Sequence, residues 1–406
     1  MEKNKTKTNN ELGLLAVWKD ARPYEKEIEL EILNSFKLIQ KIEMNWTNKN
    51  FYINSCRLYE TPFSSNNIQE QSGKGHTKKI GSPNFLIYII QDENPNYRYV
   101  PSVSGSIELC NTNIVSLKEK LRAYVYERTK ELYSIHSTNN FNEFCFQAPL
   151  LFGLDNSRDF IEGKNISLNK TYKSDLIGSD GWNSYRDLFK ALNATCNYVV
   201  LRGFEQLPDK NPEKDLDILT DDFQRLASLL GIFQSSSQPY KGTIFVAGEQ
   251  VPVDIRHIGD HYFDIRFQIN VLSNRQLKKG IYVPRDDDYF FSLLYHCKVH
   301  KGTVKPKYFD ILENLALKLD LNWFEKSMLN DDTKIKNILV GYYRAHRYNY
   351  VPPIDEGVYV NKVIVDALPT NNPRFNILRT VKEKIRLITP NLLLDLRRSL
   401  MIFIYK

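Results

Sequence analysis

Two aspartates one residue apart, Asp215 and Asp217 in Asp-Leu-Asp-Ile-Leu, carry the strongest chemical signal in this chain. On a strand of period two they share one face, while Leu216 and Ile218 turn into the core. Neighbouring carboxylates repel each other unless a cation stands between them. A hard divalent ion such as Mg²⁺ (or Mn²⁺) prefers oxygen ligands and also takes phosphate oxygens, so the pair points to metal-assisted chemistry at phosphorus. The plainer alternative is a solvated strand edge or the first turn of a helix. Asp221 and Asp222 fit that alternative, because they precede a stripe of Phe223, Leu226, Ala227 and Leu230 that Gly231 ends, and a helix dipole accounts for them. Asp215 and Asp217 lie instead inside an apolar run.

The elements that must position the pair are legible on either side of it. Asn183 to Leu192 has a helical pattern, with Tyr185, Leu188, Phe189 and Leu192 on one face. Tyr198-Val-Val-Leu-Arg202 then reads as a buried strand and Gly203 as a turn. Further on, Val251, Val253 and Ile255 alternate with Pro252, Asp254 and Arg256, which turns Asp254 away from the apolar face of its strand.

This order resembles the nucleotidyltransferase superfamily of the DNA polymerase β type over roughly residues 183–272. In that family a helix leads to a strand ending in a small-residue turn, two acids one residue apart come about a dozen positions later, and a third acid lies on a neighbouring strand. The resemblance implies that Asp215 and Asp217 hold metal ions on a nucleotide's phosphates, and that Asp254 is the third carboxylate, activating the acceptor hydroxyl as ligand or base. Asp260 and Asp264 are rivals for that third position, Asp264 within an alternating segment from Tyr262 to Phe267. Gly203 would let the backbone approach the phosphates, with Arg202, Lys214 and Arg256 as further nucleotide-binding residues. Phe204 departs from the family pattern where a second small residue is usual. The implied function is a metal-dependent nucleotidyl- or phosphoryl-transferase. Its donor would be a nucleoside triphosphate or nucleotide-activated compound, and its acceptor a hydroxyl, such as that of a sugar or polyol of a surface polysaccharide. The alternative is a catalytically silent nucleotide- or nucleic-acid-binding protein on the same fold.

Upstream, the pattern is strand at 12–18, helix at 24–36, strand at 38–46, helix to Tyr59, strand at 85–90, a further strand near 107–110, helix at 115–132 and an apolar helix reaching Phe152. With LLAVWKDA near the start and IHSTNNFNEF near the end, this part resembles the nucleoside diphosphate kinase fold, a ferredoxin-like α/β domain. The resemblance places Lys19 at that family's phosphate-contacting lysine and His136 at its phosphoryl-carrying histidine. The residues around His136 differ from the family's: Tyr133, Ser137-Thr138-Asn139 and Gln147 replace its asparagine, Gly-Ser-Asp and glutamate. These replacements favour a structural or binding role for His136.

The sequence thus predicts an α+β protein: an α/β domain over 1–153, a linker over 154–182, a mixed-sheet domain over 183–285 and a helical domain over 286–406. In the last, His296 and His300 share a helix face with Lys298 and Lys301. Without a neighbouring Glu or a third ligand they argue against zinc and for a surface or substrate-side role. Val351 to Asn361 is a proline-marked loop followed by a strand or turn, whose acids, Asp355 and Glu356, could face the cleft, a point the sequence leaves open. The chain ends basic and then apolar, as a docked helix or an interfacial one would.

Composition sets the bounds. A chain of 406 residues, 42% hydrophobic and 25% charged, has room for two or three cores. The net charge of +7 suits a phosphate-bearing partner. A basic loop at Lys74, His76, Lys78 and Lys79 permits nucleic acid, but no aromatic-basic motif supports it. Five scattered cysteines without a Cys-x-x-Cys pair exclude a disulfide framework and a thiolate zinc site. With no secretory or membrane-spanning apolar run, the expected location is cytoplasmic, with the membrane surface as an alternative.

Overall fold

The computed structural model describes residues 10–60, 80–101, 107–164, 169–232 and 240–370. The polar N-terminal tail, the basic loop at Lys74 to Lys79 and the basic-apolar segment from Arg379 to Lys406 lie outside the described residues. The chain divides after Ser179 into two compact α+β units. Among the described residues no helix is long and apolar enough to cross a membrane.

The first unit is built on one sheet. Its strands are β1 (Glu11–Val17), β2 (Lys37–Asn45), β3 (Asn84–Asp92), the hairpin β4 (Tyr97–Pro101) and β5 (Ile107–Asn111), β6 (Ile135–Ser137) and β7 (Asn169–Tyr172). The main sheet runs β6-β1-β3-β2-β7. All pairs are antiparallel except β2 with β7. β3 is central and is covered on both faces, which is why Phe85 to Ile90 is an unbroken apolar run. Helices Glu25–Ser35 and Thr112–Thr129 bury Ile28, Ile32, Ile114, Leu117, Leu121 and Val125 at helical spacing against the sheet.

The stretch expected to be a linker is part of this unit as far as Ser179. Residues Leu154–Glu162 form a helix, and β7 pairs in parallel with β2. Asp175 accepts hydrogen bonds from the Thr47 amide and hydroxyl and from the Asn50 and Asn54 amides at 2.7–2.9 Å. The segment has little apolar periodicity because β7 is mostly exposed and polar contacts hold the residues just beyond it. The hairpin strand β4 and the three-residue β6 were not expected either; β6 is too short to show a strand period, and β4 buries only Tyr97 of its five residues.

The second unit carries the carboxylates. Helix Tyr185–Thr195 starts at an N-cap where the Ser184 side chain accepts from the Asp187 amide. It leads into β8 (Tyr198–Arg202), β9 (Leu216–Thr220), helix Phe223–Leu230, β10 (Lys241–Val246) and β11 (Glu249–His257). The four strands form one sheet in the order β10-β11-β9-β8. The pair β9 and β11 is parallel, and the other two pairs are antiparallel. Helix Ile265–Ser273 and the small hairpin of β12 (Gln276–Lys278) and β13 (Ile281–Val283) precede helices Asp286–Val299, Pro306–Lys318 and Asp332–His346. Residues on both sides of position 285 share one core. Val199, Leu201 and Leu219 of the sheet pack in it with Phe290, Leu293 and Leu294 of the Asp286 helix and with Ile335 and Leu339. The helices after 285 are therefore packed onto the sheet rather than separated from it.

Candidate functional site

Strand alternation works as the sequence requires: Leu216, Ile218, Val251, Val253 and Ile255 are buried on one side of the sheet. Register does the rest. Arg202 on β8 stands opposite Asp217 on β9, Asp217 opposite Asp254 on β11, and Asp254 opposite Lys241 on β10. Side chains at the same register position of adjacent strands share a face. The result is a transverse row across all four strands: cation, acid, acid, cation. Asp215 lies two residues before Asp217, just outside β9, and Arg256 two residues beyond Asp254.

The arginines are engaged with the acids. Arg202 forms an ion pair with Asp217. Arg256 contacts Asp254 through Nε at 2.9 Å and Nη2 at 3.1 Å, and reaches Asp355 through Nη2 at 3.2 Å. The Asp215 carboxylate makes no ion pair among the described residues. Burial pushes the Asp217 carboxyl up to about 6 against the pull of Arg202, with Asp254 and Asp215 adding to the rise. Burial works most strongly against the charge on Arg202, but Asp217, Tyr262, Tyr308 and Asp254 together more than offset it and hold the guanidinium above its ordinary value.

Before the first acid, Gly203 adopts a left-handed φ of +71°, and a Cβ there would lie 2.9 Å from Glu213 Cγ. Only glycine fits that turn without strain. Phe204 packs its ring at 4.7 Å from Tyr289, so the departure from a second small residue is accounted for by core packing. Lys214 is exposed at a φ of +57°. Lys307 forms an ion pair with Glu213, which holds this loop against helix Pro306–Lys318.

The two rival acids are committed elsewhere. Asp260 is buried in a turn, accepting from the Tyr262 amide at 2.9 Å and from Gln268 Nε2 at 2.5 Å. Asp264 does not lie on a strand; it caps helix Ile265–Ser273 and accepts from the Asn349 amide at 2.9 Å. The alternation from Tyr262 to Phe267 reflects a buried turn entering that helix.

A cavity of about 170 Å³ opens beside Asp254, with Arg202, Tyr240, Lys241, Arg256, Tyr262, His296, His300, Lys301 and Asp355 in its wall. Arg256 lies over the Tyr262 ring at 4.4 Å, and the Tyr262 hydroxyl hydrogen-bonds His296 Nδ1 at 2.7 Å. The two histidines expected on one helix face do reach this cavity, and so does Asp355 from the proline-marked loop. Lys298 does not. It is buried and paired with Asp332 at 2.7 Å. Tyr240, Tyr262 and Lys241 had no signal in the sequence, since only register and the turn at Asp260 bring them in. Among the described residues no group of three His, Cys, Asp or Glu side chains converges as a preformed metal site.

In the first unit, His136 lies on β6 opposite Ala16 of β1 and is 7% exposed. Its Nε2 faces Gln147 Oε1 at 3.1 Å, and its ring lies 4.5 Å from that of Tyr59. Gln147 also donates to the Leu58 carbonyl at 3.1 Å. Lys19 is exposed at the start of the 3₁₀ turn Lys19–Tyr24, its stem near Gly81.

No family model and no curated protein matches this chain. The functional reading therefore rests on the site itself.

Proposed function

We propose that the second unit is a metal-dependent nucleotidyl- or phosphoryl-transferase. The observation that carries this reading is the register of Asp217 with Asp254 on adjacent parallel strands, with Asp215 two residues away and the Gly203 turn in front of them. Helix, strand, glycine turn, antiparallel return strand and a third acid on the next strand are the parts a nucleotidyltransferase-like domain needs. For the first unit, the antiparallel order β6-β1-β3-β2, with helices in both crossovers, supports a ferredoxin-like reading.

The donor set is all oxygen, which suits Mg²⁺ or Mn²⁺. Asp215, Asp217 and Asp254 would hold the ion, which would offset charge on the oxygens of a transferring phosphoryl group. Arg202 and Arg256 occupy two of these acids in the protein alone. A nucleoside triphosphate brings oxyanions onto which the Arg202 guanidinium can turn, freeing Asp217. Asp254, half-buried at the cavity, is the residue placed to accept a proton from an acceptor hydroxyl.

A second reading has one specific observation behind it. The two Arg–Asp pairs already neutralise two of the three acids, as a metal would, so a nucleotide could bind without a cation and without turnover. Calorimetry with each nucleoside triphosphate, with and without Mg²⁺, separates the two. Binding that requires Mg²⁺ and is lost in Asp215→Ala/Asp217→Ala supports the transferase, and pyrophosphate release then measures turnover. Equal binding in every condition sinks the active-site assignment.

A further inference from the structure

The cavity beside Asp254 has a polar wall with unused capacity. His300 is 2% exposed, and among the described residues neither Nδ1 nor Nε2 has a hydrogen-bond partner. Burying a polar group in that state forfeits its hydrogen bonds to water with nothing in return, so it calls for a ligand. Its ring is fixed rather than adaptable, lying 4.2 Å from the Tyr262 ring and 5.0 Å from that of Tyr295. Burial, then the nearby Arg256, holds His300 well below the usual imidazole range, so it enters the cavity neutral, with one N–H to donate.

The charge of the wall names the partner. Arg256 is buried, and its Nη1 makes no hydrogen bond to the described residues, since Nε and Nη2 take Asp254 and Asp355. Lys241 and Lys301 stand exposed at the rim, and neither has an ion pair among the described residues. Two unneutralised lysines, one spare guanidinium nitrogen and one imidazole N–H converge on a small space. That is the donor set of an oxyanion site; Arg202 is spent on Asp217 and Arg256 stands against both Asp254 and Asp355, so the two lysines leave a net positive charge, and the several donors suit the three terminal oxygens of a phosphate better than the two of a carboxylate. Size narrows it further. At about 170 Å³ the cavity falls below the roughly 300–1,000 Å³ of sites for larger ligands, so it takes a phosphate with a short carbon chain and not a nucleotide.

We propose that this cavity binds a small phosphomonoester through Arg256, His300, Lys301 and Lys241, and that it is the acceptor end of the site, so that the acceptor hydroxyl sits on a phosphorylated polyol or sugar. The word acceptor rests on the transferase reading; phosphomonoester binding does not. Calorimetry on the full chain, without metal or nucleotide, uses inorganic phosphate, glycerol 3-phosphate, glycerate and glycerol as probes. Phosphate and glycerol 3-phosphate are expected to bind, glycerate at least tenfold more weakly, and glycerol not at all. His300→Phe, which keeps a flat ring, is expected to weaken glycerol 3-phosphate at least tenfold. Lys301→Gln on the exposed rim, where folding is not at stake, is expected to weaken it about threefold to tenfold. Absence of phosphate binding at millimolar concentration, or equal affinity in wild type and both variants, overturns the proposal. Preference for glycerate over glycerol 3-phosphate overturns the phosphate assignment. If the phosphomonoester binds as stated while no triphosphate binds with Mg²⁺, the transferase reading fails and the pocket stands.

Discussion

His136 and His300 are both buried histidines, one in each unit, and they end in opposite states. His136 has Nε2 against Gln147 and its ring on Tyr59, and Gln147 is itself tied to Leu58. His300 has aromatic neighbours but, among the described residues, no partner for either nitrogen, and Arg202, Lys241, Arg256 and Lys301 line the cavity it faces. A buried histidine that has spent its hydrogen bonds inside the protein is explained by the fold. One that has not is left with capacity for something that arrives.

Four measurements bear on that contrast, in order of expected effect. Replacing Asp215 and Asp217 together by alanine should reduce Mg²⁺-dependent triphosphate affinity by at least 100-fold, about 2.7 kcal/mol, while leaving the first unit folded by circular dichroism. A smaller loss would move the site away from the carboxylate row.

Next comes a pH effect that only the second unit should show. Asp288, 4% exposed in the first turn of its helix, has its carboxyl pushed up to about 6 by burial and then by Asp287. An acid whose folded pKa lies above its unfolded one binds more protons folded, so stability is lost as pH rises through the window from 3.8 to about 6. Asp217 titrates over the same window, so Asp288→Asn should reduce that slope without abolishing it and raise stability at pH 7 by about 2 kcal/mol, read from urea titrations at pH 4.5 and pH 7.

Gly203→Ala should cost about 1.5 kcal/mol, because it forces a side chain into a left-handed turn against Glu213. If the turn also cradles phosphate, triphosphate affinity should fall with it. The smallest effect is expected at His136→Phe. It removes one hydrogen bond to Gln147 and should lower stability by about 1 kcal/mol without changing nucleotide affinity. Incubation of wild type with a triphosphate should leave no acid-labile phosphate on His136; its appearance would make the two histidines chemically alike.

Much of the second unit's core and its first two acids were legible because they depend on local periodicity. Asp217 faces away from Leu216 and Ile218 for reasons contained in the five residues of β9, and Asp215 is exposed just before it. Asp254 was readable for the same reason, as the polar phase of an alternating strand. Its rivals were not separable from it in sequence, since an N-cap and a turn acceptor look like any other aspartate until their amide partners are in place. The segment after Leu154 reads as a linker in sequence because its order comes from edge pairing and from Asp175, not from an apolar stripe.

The sequence by itself determined which faces of each strand are polar, where the glycine turn falls and which helices carry histidines. The tertiary structure alone decided that Arg202, Asp217, Asp254 and Lys241 form one row, that both arginines take the acids, and that His300 faces a cavity without a partner. The physical reason is range. Side-chain phase repeats every two or four residues and is written locally, whereas register between strands is fixed by pairings that the chain makes only once it has folded.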